Sequence, residues 1–135
     1  MTTTSATASS RLKGIAPQFV VPDVVRAAEH YRDALGFTIA DYFGDPPVFA
    51  IVSRDGVEIH LGKRDTGSIV PNRTVRGDGL DAYIWVEDVD TLAQEFRARG
   101  ARILEGPVFR SYGMRELIVE DDSSYRLAFG ESAAP

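Results

Sequence analysis

One short pattern occurs twice in the chain, 65 residues apart. Val21-Pro22-Asp23-Val24 leads to Ala28, Tyr31 and Arg32, and Val86-Glu87-Asp88-Val89 leads to Ala93, Phe96 and Arg97. Each copy reads as the end of a strand, an Asp that caps a helix, and an apolar helical stripe. The interval is about half of the 135 residues, so the chain reads as two copies of one strand–helix-led unit. Two such units packed together make a cup, and function then depends on the side chains that line it.

The rest of each half follows the same order. Residues 14–21 form a predicted strand, and Asp23 caps a helix with Val24, Ala27, Ala28, Tyr31 and Leu35 at helical spacing. Gly36 ends that helix. Strands are predicted at 37–42, 48–53 and 57–61, the last two joined by the hairpin turn Arg54-Asp55-Gly56. The second half repeats this with a strand at 80–86, a helix from Asp88 to Gly100, and a short strand at 101–104. A loop from Gly106 to Tyr112 then leads to a hairpin of 114–120 and 125–130. A helix followed by antiparallel hairpins gives an α+β protein of two βαβββ modules forming a concave mixed sheet, not a doubly wound parallel sheet. The modules span 14–62 and 80–131, with a polar Gly/Pro/Asn-containing linker at 63–79. Residues 1–13 and 132–135 read as tails, the first of them disordered.

Composition narrows the function. A formal net charge of −5 argues against a nucleic-acid partner, whose phosphates demand clustered Lys and Arg. No apolar run approaches the roughly 20 residues of a membrane span. The chain has no cysteine, which removes disulfides, thiolate zinc sites and thiol catalysis and fits a cytoplasmic protein. The first ten residues, MTTTSATASS, lack the apolar core of a secretory signal.

Side chains alternate across a strand, so each strand presents one set to the helices and another to the cup. Phe19 with Val21, Ile59 with Leu61, Ile84 with Val86, Leu117 with Val119, and Leu127 with Phe129 are wholly apolar sets suited to the helices. The opposite sets place Glu58, Asp81 and Glu116 in the cup with Arg126, and Gln18, His60, Tyr83, Trp85 and Met114 among them. Facing carboxylates are costly unless paired, and Arg126 is the counter-ion expected for Asp81 or Glu116. Tyr83 and Trp85 offer a flat surface for a ring or a cation. Phe109 and Tyr112 are expected on the loop above the cup. His30 is expected on a helix, away from the cup and solvated.

The segment from Val21 to Phe37, ending Tyr31-Arg32-Asp33-Ala34-Leu35-Gly36-Phe37, resembles the first helix of the vicinal oxygen chelate superfamily. Gly106-Pro107, Gly113-Met114-Arg115-Glu116 and Tyr125-Arg126-Leu127-Ala128-Phe129-Gly130-Glu131 resemble its closing hairpin. That superfamily includes glyoxalase I, the bleomycin- and fosfomycin-resistance proteins and the extradiol dioxygenases. Its metal enzymes place ligands at inward positions of four strands, and the resemblance sets Ala16, His60, Asp81 and Ala128 there. Two of these carry no donor atom, which implies no firmly held ion. The resemblance therefore implies a metal-independent protein of the bleomycin-resistance type, without a cofactor. Such a protein sequesters a small aromatic or cationic molecule and so serves antibiotic resistance. A homodimer is implied as well. The alternative is a metal-dependent lyase, isomerase or dioxygenase with a shifted site of His60, Asp81 and Glu116. Gln18 or Glu58 would join to hold a divalent Zn, Ni, Mn or Fe ion. A third reading is a ligand-free interaction domain.

Overall fold

The computed structural model describes residues 8–133. The expected disordered tail lies in part outside the described residues, and residues 8–13 are exposed without helix or strand. The first module comprises β1 (Gln18–Val21), α1 (Val24–Leu35), β2 (Thr38–Phe43), β3 (Phe49–Arg54) and β4 (Val57–Lys63). The second comprises β5 (Ala82–Trp85), α2 (Val89–Arg99), β6 (Arg102–Phe109), β7 (Met114–Glu120) and β8 (Arg126–Ser132). The sheets have the orders β1-β4-β3-β2 and β5-β8-β7-β6. In each, the leading strand runs parallel to the last, and the other pairs are antiparallel.

The repeated Asp starts both helices. Asp23 accepts from the Arg26 backbone N–H at 3.1 Å, and Asp88 from that of Thr91 at 3.0 Å. Such caps contribute about 1 kcal/mol each. Gly36 and Gly100 end the helices in the left-handed conformation that glycine adopts at least cost. The buried stripe of α1 is Val24, Ala27, Ala28, Tyr31, Ala34 and Leu35; that of α2 is Val89, Ala93 and Phe96.

One core joins the modules. The Phe19 ring stacks on Tyr125 with centroids 4.4 Å apart, and the Tyr125 hydroxyl donates to the Val20 carbonyl at 2.7 Å. Tyr31 donates to Asp121 at 2.6 Å, and Asp121 also accepts from the backbone N–H groups of Ser123 and Tyr125. On the opposite side of the seam, Arg54 donates to the Leu35 carbonyl and to both oxygens of Glu95 on α2.

Three local expectations are corrected. β6 continues to Phe109, through the stretch expected to be a loop. Gly106, at φ 96°, sits so close to the Glu116 carbonyl that an added Cβ would lie 2.2 Å from it. β6 is the sheet's edge strand, where the missing N–H of Pro107 is tolerated, and its register shifts around Glu105 absorb the Gly-Pro step. β1 begins only at Gln18, although the His60 N–H still donates to the Pro17 carbonyl. The polar connection also contains a 3-10 turn, Asn72–Thr74.

His30 is not simply solvated. It is half-buried, its Nε2 has no hydrogen-bond partner among the described residues, and burial lowers its pKa against the opposing charge of Asp122. The sequence pattern placed it on the flank of α1. The β7–β8 turn folds over that flank.

Candidate functional site

The ladder registers define what the cup can hold. Gln18 pairs with His60, and Tyr83 pairs with Ala128. Carrying each register back sets Ala16 beside Glu58 and Asp81 beside Arg126. The inward positions therefore form two rows. One row is Ala16, Glu58, Asp81 and Arg126; the other is Gln18, His60, Tyr83 and Ala128. The expected set Ala16, His60, Asp81 and Ala128 takes one inward position from each strand, with His60 and Ala128 one inward step along from Ala16 and Asp81.

A hollow of about 460 Å³ opens where the N-terminal segment and β4 face β5. Ala16, Glu58, Asp81, Tyr83 and Trp85 line it, with Val57 and Ile84 among its apolar walls. Ala16 thus sits in the hollow as expected. Ala128 does not: it is fully buried between Tyr83 and Ile118 in the sheet. Trp85 is 73% exposed and lies 5.0 Å from the Tyr83 ring, centroid to centroid.

Beyond the hollow, the first module carries a hydrogen-bonded chain. Glu58 contacts His60 Nε2 at 2.7 Å, and the Gln18 amide contacts Nδ1 at 3.3 Å. A carboxylate only accepts, so the neutral imidazole carries its proton on Nε2 and accepts on Nδ1 from Gln18. Phe49 meets the His60 ring edge-on at 5.5 Å.

The second module's inward face is filled by its own side chains. Glu116 is 2% exposed. It accepts from Tyr83 at 2.7 Å, from Tyr112 at 2.7 Å to both oxygens, and from Arg110 Nε at 3.0 Å. Burial pushes its carboxyl pKa up, but the two phenols and the guanidinium outweigh that and leave it lowered. The Tyr83 hydroxyl is raised in turn, by burial first and then by Glu116. Tyr83 reaches Glu116 only because residue 130 is glycine: a Cβ there would lie 2.0 Å from the phenol oxygen. Met114 pairs with Ser132 at the end of this face and is half-buried.

Several site expectations change accordingly. Arg126 does not neutralise Asp81 or Glu116; it binds Glu120 at 3.2 Å, and Arg102 holds the other Glu120 oxygen at 2.6 Å. Glu116 takes Arg110 instead, a residue the sequence reading missed. Its position in the β6–β7 connection gave no sign of an inward-facing side chain. Asp81 is engaged by backbone, accepting from Asn72 N–H and Arg126 N–H at 2.8 Å each. It pins the connecting segment to the second sheet. Phe109 is not above the cup. It pairs with Arg115 on β7, shares the helix-side face and lies under the Arg115 guanidinium at 5.0 Å. The stretch read as a loop is strand, and the two β6 bulges offset one another, so Phe109 falls on the same face as Ile103. Tyr112 is in the loop, as expected.

His60, Asp81 and Glu116 do not converge on one point. Among the described residues, only Asp88, Asp90 and Glu131 have ligand atoms close enough for one ion, and they lie outside the cup. Each is otherwise engaged: Asp88 caps α2, Asp90 binds Arg115, and Glu131 accepts from the Val89 N–H. The donor chemistry of the two inward rows does not fit a divalent ion. One row ends in an arginine and lacks a donor at Ala16. The other offers Gln18 and His60 against a phenol and an alanine.

No helix is long and apolar enough to cross a membrane among the described residues. Among curated proteins, none matches the chain significantly. Solved structures with the same fold are similar at low identity. A glyoxalase/bleomycin resistance protein/dioxygenase from Nocardioides is 20% identical, with 93% of this chain and 87% of that one covered at a TM-score of 0.67. TioX from Micromonospora sp. ML1 is 19% identical, with coverages of 89% and 98% and a TM-score of 0.69. A bleomycin-binding protein from Streptomyces verticillus, complexed with copper(II)-bleomycin, is 22% identical, with coverages of 94% and 100% and a TM-score of 0.64. The family model for the Glyoxalase/Bleomycin resistance protein/Dioxygenase superfamily matches residues 15–129. With paired βαβββ modules and that match over most of its length, the chain belongs to this superfamily.

Proposed function

We propose that this member of the superfamily is a metal-independent binding protein that holds a small aromatic or cationic molecule in the hollow between Ala16, Glu58, Asp81, Tyr83 and Trp85. The observation that carries the proposal is the lining itself. It joins two aromatic side chains, two carboxylates and aliphatic walls, and among the described residues it includes no lysine or arginine. Glu58 is the free acid of the pair, half-exposed with one oxygen on His60. A ring bearing a positive charge satisfies both features: stacking on Trp85 and Tyr83, and charge neutralisation by Glu58. The volume falls in the usual range for small-ligand sites. The likeness to a bleomycin-binding protein accords with sequestration, as an inference from fold.

The same proposal includes a homodimer. Val20, Phe43 and Val48 are about half-exposed on or beside the first sheet's open face, and β2 and β6 are unpaired edges. Light scattering checks this, and a monomer at micromolar concentration would remove it.

Fluorescence titration tests the binding claim, because Trp85 is the single tryptophan. Cationic aromatics should quench or shift its emission, whereas their neutral analogues should act more weakly. Trp85→Ala should weaken binding about tenfold, the equivalent of 1.4 kcal/mol, when measured by calorimetry. Equal affinity in wild type and variant would place the ligand elsewhere. Elemental analysis of protein purified without chelators addresses the metal. Stoichiometric Zn, Ni, Mn or Fe that is lost in His60→Ala would instead support a metal-dependent lyase, isomerase or dioxygenase built around Gln18, His60 and Glu58.

A further inference from the structure

The two modules meet along a seam whose two sides are related by the internal repeat. Superposing the Gln18–His60 pair on the Tyr83–Ala128 pair maps Phe19 onto Ile84 and Tyr125 onto Val57. The helical repeat maps Tyr31 onto Phe96. On the α1 side the seam is closed: Phe19 and Tyr125 stack at 4.4 Å and are 5% and 8% exposed. On the α2 side the same two positions hold Ile84 and Val57, and both stay partly exposed. A cavity of about 410 Å³ remains there, walled by Phe37, Val57, Ile84, Leu92, Phe96 and Phe129.

Where the repeat puts two stacked rings on one side, the other side holds two smaller aliphatic side chains, and the cavity lies beside them. Four carboxylates, Asp55, Glu87, Asp88 and Glu95, border that place against one guanidinium, Arg54. Arg54 holds Glu95 and the Leu35 carbonyl and lies 3.6 Å from Asp55, and Arg99 also binds Glu95, so Glu87 and Asp88 carry the surplus. The surplus charge is negative and the walls are apolar.

We propose that this α2-side cavity is a second small-molecule pocket, separate from the hollow at Ala16 and Asp81, for a single aromatic ring carrying a protonated amine. The ring lies against the partly exposed Val57, Ile84 and Leu92, over the buried Phe96 and Phe129, which meet edge-to-face at 5.1 Å. The ammonium faces the acidic rim. Apolar cavities of this kind accept simple aromatic molecules without rearrangement. The inference does not rest on the function proposed for the hollow, although Val57, Ile84 and Trp85 line both.

Amide NMR of the full chain, titrated with phenethylamine and with phenethyl alcohol, tests it. Saturable shifts at Thr91, Leu92, Phe96 and Phe129 are expected, with the alcohol about tenfold weaker. The double variant Val57→Tyr with Ile84→Phe rebuilds the stack and should abolish those shifts. Leu92→Trp fills the cavity from the helix and serves if the double variant does not fold. Ala16→Phe, which fills the other hollow, should leave the shifts in place. Shifts confined to Ala16, Asp81 and Tyr83 would overturn the proposal. So would wild-type affinity in both filled variants, or a filled variant that only gains thermal stability while the wild type binds neither probe. Equal affinity for the alcohol would overturn the assignment of an amine.

Discussion

The two modules share a backbone plan and differ on the face they turn toward the cup. The first leaves His60, Gln18, Glu58 and Phe49 partly open to solvent. The second covers the equivalent positions with Tyr83 and Glu116, closed by Tyr112 and Arg110. Sheet pairing therefore decides where a side chain points, while neighbouring donors decide whether it remains available. Glu116 points inward and is unavailable, because its hydrogen-bonding capacity is used within the protein. Glu58 points inward with one oxygen left to offer. A polar inward position is a candidate site only to the extent that the module does not saturate it.

The largest effect that sharpens this contrast is a matched pair of substitutions. Gly62 and Gly130 are equivalent in the two sheets. A Cβ at Gly62 meets nothing closer than Phe49 at 3.8 Å, whereas at Gly130 it meets the Tyr83 hydroxyl at 2.0 Å and two ring carbons within 2.9 Å. Gly130→Ala should lose about 1–3 kcal/mol by expelling Tyr83 and leaving Glu116 short of a donor, whereas Gly62→Ala should stay within about 0.5 kcal/mol. Urea denaturation of both variants checks this. Equal losses would dissolve the contrast.

A second effect of nearly that size concerns Asp121, which closes the seam on the α1 side. Burial raises its pKa to about 6, against the Tyr31, Tyr125 and Ser123 hydrogen bonds that lower it. A carboxyl raised on folding binds its proton more tightly in the native state. Its stabilising contribution is complete below the unfolded pKa near 3.8 and is lost as pH rises through about 6. Between pH 4 and pH 7 this group should remove roughly 2–3 kcal/mol. Asp121→Asn should flatten that part of the stability profile, and a profile identical to wild type would contradict the assignment.

Tyr31→Phe gives the second module's residue to the first, since Phe96 occupies the equivalent position. The buried Asp121 oxygen loses its donor, and about 1–2 kcal/mol of stability should go with it. Thermal denaturation at pH 7 and pH 5 measures this. The loss should be smaller at pH 5, where Asp121 is largely protonated.

The smallest expected effect is on stability in the open module. Glu58→Gln should change stability by less than about 0.5 kcal/mol, because Glu58 is half-exposed. The same change should weaken a cationic ligand more than a neutral one in the fluorescence titration. An equal effect on both would leave Glu58 without a role in charge recognition.

Much of the fold was legible because it rests on local chemistry. The Asp caps, the terminal glycines, the helical stripes and the alternating strands each follow from a few adjacent residues. The site was legible only in part. Asp81, Tyr83, Trp85 and Glu58 line one hollow, together with Val57, Ile59, Ala82 and Ile84 of the opposite parity. Phe109 went to the helix-side face because the segment read as a loop continues β6, whose two bulges offset one another and leave it on the face of Ile103. Arg126 went to Glu120, its neighbour across β7–β8, and Arg110 took Glu116 from a loop whose direction no periodic pattern encodes.

By itself, then, the sequence determined that there are two modules, what each is built from, and which face of most strands points inward. The repeat, the period of two and the capping residues are properties of neighbouring residues. Tertiary structure alone decided which carboxylates are already spoken for, how the parallel strands align Gln18 with His60 and Tyr83 with Ala128, and that one side of the seam is filled while the other stands open. Those outcomes depend on contacts between residues far apart in the chain, where a hydroxyl, a guanidinium or a missing Cβ comes within reach only after the modules have packed.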